Sequence, residues 1–127
     1  MYLLPFNAMV RVTALVMTLG AALLSLPLQG QDALVVHIGG AIAHLEGYRI
    51  KASATRRANN PGAISPRGKL LKFPNAAAGW NALYRAVDLK LSQGLTLRQL
   101  ADRWAEDPTY AVKLGRLTGL PLDTRLR

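Results

Sequence analysis

Apolar positions after residue 32 recur every three or four residues, the spacing that places them on one face of an α-helix. This pattern predicts four helices, over residues 33–46, 76–91, 97–104 and 108–118. Asn75 is placed to cap the second, and Thr96-Leu97-Arg98-Gln99 is a capping box for the third. The predicted core stripes are Val35, Ile38, Ile42, Leu45, Trp80, Leu83, Tyr84, Val87, Leu91, Leu97, Leu100, Ala101, Trp104, Tyr110, Leu114 and Leu117.

A long polar stretch separates the first two helices. Residues 48–74 have no helical period and are rich in Arg, Asn, Pro and Gly, with one short apolar run at 69–73 that favours a strand. A loop of this length inside a compact domain is usually functional or disordered. The predicted fold class is therefore mainly α, a small helical domain with one long polar loop and at most a short strand or hairpin.

The N-terminal segment has a different pattern. Residues 12–26 are continuously apolar or small, Arg11 is the only charge before Asp32, and Pro27 ends the run. A run of this length suits the apolar region of a signal peptide better than a membrane span. We predict a signal peptide over 1–30, one domain over 31–127, and export to the periplasm or the medium. The alternative is an uncleaved N-terminal anchor.

Composition narrows the chemistry further. The chain contains no cysteine, which excludes disulfides and Cys-based sites. His37 and His44 alone are a weak metal signal, so we expect no metal and no cofactor. Fifteen basic and seven acidic residues follow Gly30, a net charge of +8. Such a domain is attracted to polyanions, among them wall polymers, anionic lipid and nucleic acid. The aromatic residues are not interleaved with the basic ones as nucleic-acid stacking requires, so nucleic acid is not an expected partner.

One acidic residue occupies an unusual position. Glu46 ends the first predicted helix, just before Gly47, which is a typical helix stop. The negative end of the helix dipole and the adjacent apolar face both disfavour an ionised carboxylate, so we expect a raised pKa for Glu46. A carboxylic acid that is neutral near pH 7 can protonate a glycosidic oxygen. The alternative is a solvated terminal Glu paired with Arg49.

The long loop contains a second candidate. Asn-Pro-Gly at residues 60–62 is a turn signal, with Gly where a positive φ is needed. The side chains of Asn59 and Asn60 could fix this turn or could present amides to sugar hydroxyls and N-acetyl groups. The sequence leaves both readings open.

The order of these motifs resembles a known family. An Ala-Ile-Ala-x-x-Glu-Gly-Tyr helix end is followed by Arg-x-Asn-Asn-Pro-Gly, Phe-Pro-x-x-x-x-Gly-Trp-x-Ala-Leu, Thr-Leu-Arg-Gln-Leu-x-x-x-Trp-Ala and a Tyr-containing helix that closes in Thr-Gly. This looks like the lysozyme-like domains of bacterial and phage origin that carry an Asn-Asn-Pro-Gly loop, relatives of lytic transglycosylases and muramidases. The resemblance covers residues 33–124 and departs from the family at Ala63, where a polar residue often stands.

The resemblance implies a function and a set of site residues. Glu46 would be the catalytic acid, the cleft would be lined by Tyr48, Asn59, Asn60 and Gly62, and Tyr110 would face it from the last helix. The expected activity is peptidoglycan cleavage through a single Glu by a monomer that meets a membrane only through an uncleaved signal. The alternative is a non-catalytic peptidoglycan-binding protein on the same fold.

Overall fold

A computed structural model describes residues 32–127 of the chain. The predicted signal peptide lies outside the described residues. The described part is mainly helical, which confirms the predicted class. Its elements are α1 (Ala33–Leu45), α2 (Ala54–Arg57), a 3₁₀ turn (Pro66–Gly68), α3 (Ala76–Ser92), α4 (Leu97–Trp104) and α5 (Tyr110–Thr118).

Helices α1 to α4 begin where a side chain accepts one of their first backbone N–H groups, whereas α5 has no side-chain cap. Asp32 Oδ1 accepts the N–H of Leu34 at 2.8 Å and begins α1. Asn75 Oδ1 accepts the N–H of Ala78 at 2.9 Å. Thr96 and Gln99 form both hydrogen bonds of a capping box at the start of α4. The predicted caps at Asn75 and Thr96 are therefore confirmed.

The core lies where α1 packs against α3 and α5, with α4 closing it from the side of α5. The predicted stripes are buried for the most part, and their fully buried members include Val35, Ile38, Ile42, Leu83, Val87, Leu97, Leu100, Trp104 and Leu114. Leu117 is the exception at 44% exposed, because α5 buries the face that carries Ala111, Leu114 and Thr118 instead. The core prediction for Trp104 is confirmed, and its Nε1 donates to the carbonyl of Gly62 at 3.0 Å.

The long loop is more ordered by hydrogen bonds than its composition suggests. It contains the short helix α2, which the sequence did not predict, and no strand is present over 69–73 in the described structure. The strand prediction is wrong because this segment pairs with turns and not with another strand. The N–H of Leu71 donates to Ile64 and the N–H of Phe73 to Ala58, at 3.0 and 2.9 Å.

Arg127 is tied to two helices. Its guanidinium contacts carboxylate oxygens of Asp88 and Asp32, each at 2.6 Å, and so joins the C-terminal residue to α3 and to the start of α1.

Within residues 32–127, every helix is too short or too polar to span a bilayer.

Candidate active site

Glu46 is the C-terminal cap of α1, and the backbone around it follows a Schellman motif. Gly47 has a φ of 74°, its N–H donates to the carbonyl of His44 at 3.1 Å, and the N–H of Tyr48 donates to the carbonyl of Ala43 at 3.0 Å. An L-residue at this φ would cost about 1–2 kcal/mol, so glycine is the natural choice. The motif holds Glu46 in one backbone position at the end of the helix.

The side chain of Glu46 is half-buried and is held from α5. The hydroxyl of Tyr110 donates to Glu46 Oε2 at 2.8 Å, although 64 residues separate the two in the chain. Tyr110 itself is buried at the start of α5. On the other side, Thr55 of α2 donates its hydroxyl to the Glu46 carbonyl at 3.0 Å. Elements from three parts of the chain therefore meet at this one acidic residue.

Tyr48 follows Glu46 and is buried under polar and aromatic neighbours. Its ring lies edge-on to Trp80, with 5.5 Å between centroids, and Trp80 in turn lies 5.6 Å from Tyr84. The guanidinium of Arg56 lies 5.0 Å from the Tyr48 ring centroid and donates to its carbonyl at 2.8 Å. Such a cation over an aromatic face contributes about 0.5–1 kcal/mol. Tyr48 thus joins α2 and α3 beneath the site.

The amide of Asn60 has the structural role that the sequence left open. The residue is 0% exposed, its Nδ2 donates to the carbonyls of Ile64 and Leu71, and its Oδ1 accepts the N–H of Ile64, each at 2.9 Å. Each of these bonds closes the loop on itself. In this conformation the side chain supports the loop and does not reach solvent.

The left-handed backbone positions of this turn are Asn59 and Ala63, not Gly62 as the sequence predicts. Positive φ values occur at Asn59 (52°) and Ala63 (51°), and Gly62 is not among the residues with a positive φ. Space at 62 is tight, because a Cβ there would lie 3.1 Å from Leu83 Cδ1 and 3.2 Å from an atom of the Trp104 ring. The expectation of a positive φ at Gly62 is therefore wrong, and this glycine is packed into the core.

The predicted site residues are thus brought together only in part. Glu46 and Tyr110 are in direct contact, and Tyr48 adjoins them through the backbone of the Schellman motif. Asn59 is half-buried and donates its amide to the Phe73 carbonyl at 3.2 Å. Asn60 and Gly62 form the inner wall of the loop.

Sequence reasoning missed Thr55 and Arg56. The signal for Thr55 was weak, because a hydroxyl nine residues after a helix end can point anywhere until the loop is folded. Ser53, which caps α2 by accepting the N–H of Arg56 at 3.2 Å, was a readable signal for a helix start.

Several other acidic residues are engaged in ion pairs at the surface. Asp107 accepts from Lys113 at 3.0 Å, and hydrogen bonds from Thr109 and then Lys113 lower the pKa of Asp107 to about 2. Asp123 pairs with Arg98 at 2.7 Å, and the pKa of Asp123 is lowered by that bond. Carboxylates held ionised in this way are poor proton donors near neutral pH.

The histidines of α1 are not arranged as a metal centre. His37 Nε2 donates to the carbonyl of Thr118 at 2.7 Å and so links α1 to the end of α5. Across residues 32–127, no three His, Cys, Asp or Glu side chains come together in a way that could hold a metal ion.

Comparison with protein families, with curated proteins and with solved structures finds no match to this chain.

Proposed function

We propose that this protein cleaves the glycan strands of peptidoglycan, as a lytic transglycosylase or muramidase on a lysozyme-like domain, with Glu46 as its single catalytic acid. The observation that supports this is the placement of the Glu46 carboxyl group. It lies half-buried at the end of α1, and Tyr110 orients it through a hydrogen bond of 2.8 Å. General acid catalysis requires a carboxyl group held in one orientation beside the substrate.

A single carboxyl group can complete the transglycosylase reaction. Glu46 would first donate its proton to the glycosidic oxygen, and the bond from that oxygen to the anomeric carbon would break. The resulting carboxylate would then take the proton of the 6-hydroxyl of the same sugar. That oxygen would attack the anomeric carbon, which yields a 1,6-anhydro sugar and restores the acid. Asp88, Asp107 and Asp123 are held in surface ion pairs with Arg127, Lys113 and Arg98.

Tyr110 would assist the second half of this reaction. Its hydroxyl donates a hydrogen bond that stabilises the ionised form of Glu46, the form that must act as the base. The resemblance to the lysozyme-like domains with an Asn-Asn-Pro-Gly loop supports the same assignment. An exported protein would also meet this polymer as soon as it leaves the cytoplasm.

The proposal is tested by incubating the full chain with purified peptidoglycan and analysing the products by mass spectrometry. We expect soluble muropeptides with 1,6-anhydro ends, and Glu46→Gln should reduce their release at least about a hundredfold. Asp102→Asn is the matched control, since it neutralises an exposed acid on α4 and should leave the release unchanged. No release by the wild-type chain, or equal release by Glu46→Gln, would contradict the proposal.

The basic surface favours a second candidate, a non-catalytic protein that binds the wall. Every unit of net charge in the described part lies in residues 47–87, which hold eight basic and no acidic residues. A binding protein of this kind would sediment with cell walls in a salt-sensitive way, and Glu46→Gln would not change that sedimentation. Binding without any muropeptide release would favour this candidate.

A further inference from the structure

The charge of this domain is strongly segregated. Residues 47–87 carry eight Lys and Arg and no Asp or Glu, whereas the rest of the described chain carries seven of each sign. Asp32, Asp88, Asp107 and Asp123, which form ion pairs with Arg127, Lys113 and Arg98, all lie outside residues 47–87. The Lys and Arg side chains of the long loop are exposed, and those of Arg56 and Arg57 also donate to backbone carbonyls.

Two adjoining clefts lie in this basic region. One has a volume of about 550 Å³ and is lined by Pro66, Lys69, Leu70, Leu71 and Lys72. The other has a volume of about 360 Å³ and is lined by Ala54, Arg57, Ala58, Leu70 and Lys72. The two meet at Leu70 and Lys72. Together they form an apolar floor with amines and a guanidinium at its rim, which we name the cationic cleft.

An exposed apolar side chain lies in the turn that precedes α2, and α2 lines part of the cationic cleft. Ile50 is 64% exposed, more than any other large apolar residue in the described part, and it is flanked by Arg49 and Lys51. Its carbonyl accepts the N–H of Ser53 in the turn that leads into α2. The guanidinium of Arg57, on the cleft rim, donates to the carbonyl of Ala52. Ile50 is thus connected to the cleft rim through the turn before α2.

We propose that this surface binds the anionic face of a phospholipid bilayer. Lys69, Lys72 and Arg57 would contact headgroup phosphates, while Leu70 on the cleft floor and Ile50 would lie at the level of the first acyl carbons. Cationic side chains around an apolar centre are the pattern by which proteins lie on an anionic membrane. The Glu46 carboxyl group is not one of the proposed contacts, and the proposal does not depend on the proposed catalysis.

The apolar component decides between a bilayer and a soluble polyanion. A hydrophilic polymer such as polyphosphate would be bound by the positive charges alone, because it has no apolar part to place against Leu70 or Ile50. Single exposed apolar residues need no explanation by themselves. Here the most exposed one of the described part lies in the same acid-free, basic stretch as the cationic cleft.

The electrostatic half of the proposal is tested with vesicles. The affinity of the full chain is measured for mixed phosphatidylglycerol–phosphatidylcholine vesicles and for phosphatidylcholine vesicles, and the ratio is taken. Residues 12–26 carry no charge and are common to every variant, so their contribution largely cancels in this ratio. Lys69→Gln with Lys72→Gln should lower the ratio about 30-fold, since each basic residue near such a surface contributes about 1 kcal/mol.

The matched control removes the same charge elsewhere. Lys113→Gln with Arg116→Gln lies on α5, in the neutral part of the chain, and should change the ratio by less than about threefold. Equal losses in the two double variants would mean that net charge alone drives binding, and would overturn the proposal.

The apolar half is tested with a fluorescent probe. Because the chain has no cysteine, Ile50→Cys can be labelled at one position with an environment-sensitive dye, and Val112→Cys, at an exposed site of α5, serves as the control. We expect a blue shift at position 50 with phosphatidylglycerol-containing vesicles, none there with inorganic polyphosphate, and none at position 112. No shift at position 50 on vesicles that the protein binds would overturn the proposal in favour of a soluble polyanion.

Discussion

A hydrogen bond between Glu46 and Tyr110 links the first and the last helix of the described chain. A helix end supplies the carboxyl group and the first turn of α5 supplies the hydroxyl, 2.8 Å away. Glu46 was recognisable in the sequence because an acid at a helix C-terminus opposes the helix dipole. The resemblance places Tyr110 at the same cleft, but no local pattern gives the hydrogen bond, since it depends on how the start of α5 meets the end of α1.

Tyr110→Phe tests the role of this hydrogen bond. Phenylalanine keeps the buried ring and removes only the donor, so the ionised form of Glu46 loses a stabilising contact. We expect kcat for muropeptide release to fall about tenfold and the alkaline limb of its pH profile to move to higher pH, because Glu46 then keeps its proton longer.

Tyr84→Phe is the control, because it also removes one tyrosine hydroxyl, on the side of α3 that faces α1. It should leave the pH profile of muropeptide release unchanged. If Tyr110→Phe changes only the thermal stability and not the pH profile, Tyr110 has a packing role alone.

Among the elements, the helices followed from their stripes and caps, but the long loop did not. Residues 48–74 are held by hydrogen bonds from loop side chains to the loop backbone, above all those of the buried Asn60 amide to Ile64 and Leu71. Composition rich in Arg, Asn, Pro and Gly is compatible with many loop structures, so it could not distinguish this one. The short helix α2 and the absence of a strand at 69–73 were decided by these hydrogen bonds.

Helix packing also distinguishes glycines that helix propensity treats alike. Gly39 and Gly40 weaken α1 equally by propensity, yet a Cβ at 39 would lie 2.8 Å from the Tyr84 ring while a Cβ at 40 would meet nothing within 4 Å. A Cβ at Gly79 of α3 would lie 1.8 Å from the carbonyl oxygen of Asn59. Close approach of α3 to the loop thus depends on Gly79.

Gly79→Ala should therefore destabilise the fold strongly, and Gly40→Ala should not. The clash at 79 is with backbone and cannot be relieved by a rotamer change, so we expect a loss of about 3 kcal/mol or more in the free energy of unfolding. Gly40→Ala should gain up to about 1 kcal/mol from helix propensity. Urea denaturation followed by circular dichroism measures both. A Gly79→Ala variant within about 1 kcal/mol of wild type would show that the loop does not approach α3 this closely.

The stability of the whole molecule includes one unfavourable burial. Lys90 of α3 is 2% exposed, and this burial, followed by the charge of Arg103, lowers the pKa of Lys90 from 10.5 to about 8. The unfolded chain then binds more protons than the folded one between pH 8 and pH 10.5. Stability should therefore rise with pH across this window, and the cost should be fully present below pH 8.

Lys90→Met removes this cost and is expected to stabilise the protein at pH 7. The full shift would correspond to about 3 kcal/mol, and solvent screening of the amine reduces the expected gain to about 1–2 kcal/mol. The alkaline rise in stability should disappear in the same variant. Lys113→Met, at an exposed position of α5, is the control for loss of an amine. The expectation fails if Lys90→Met has the wild-type stability at pH 7 and keeps the alkaline rise.

The distribution of charge is a second property of the whole molecule, and it was only partly visible in advance. The sequence shows a net charge of +8 after Gly30 and a stretch without acids. The clefts that share Leu70, and the exposure of Ile50, needed the folded loop.

By itself, the sequence determined the helical class, the caps at Asn75 and Thr96, most of the buried stripes and the candidate Glu46. These depend on periodicity and on contacts within a few residues of the chain, which the amino acids specify directly. The tertiary structure alone decided the hydrogen bond between Glu46 and Tyr110, the burial of Asn60 and the tight packing of Gly62 and Gly79. Each of these depends on how the chain folds back on itself in three dimensions, which patterns of neighbouring residues do not specify.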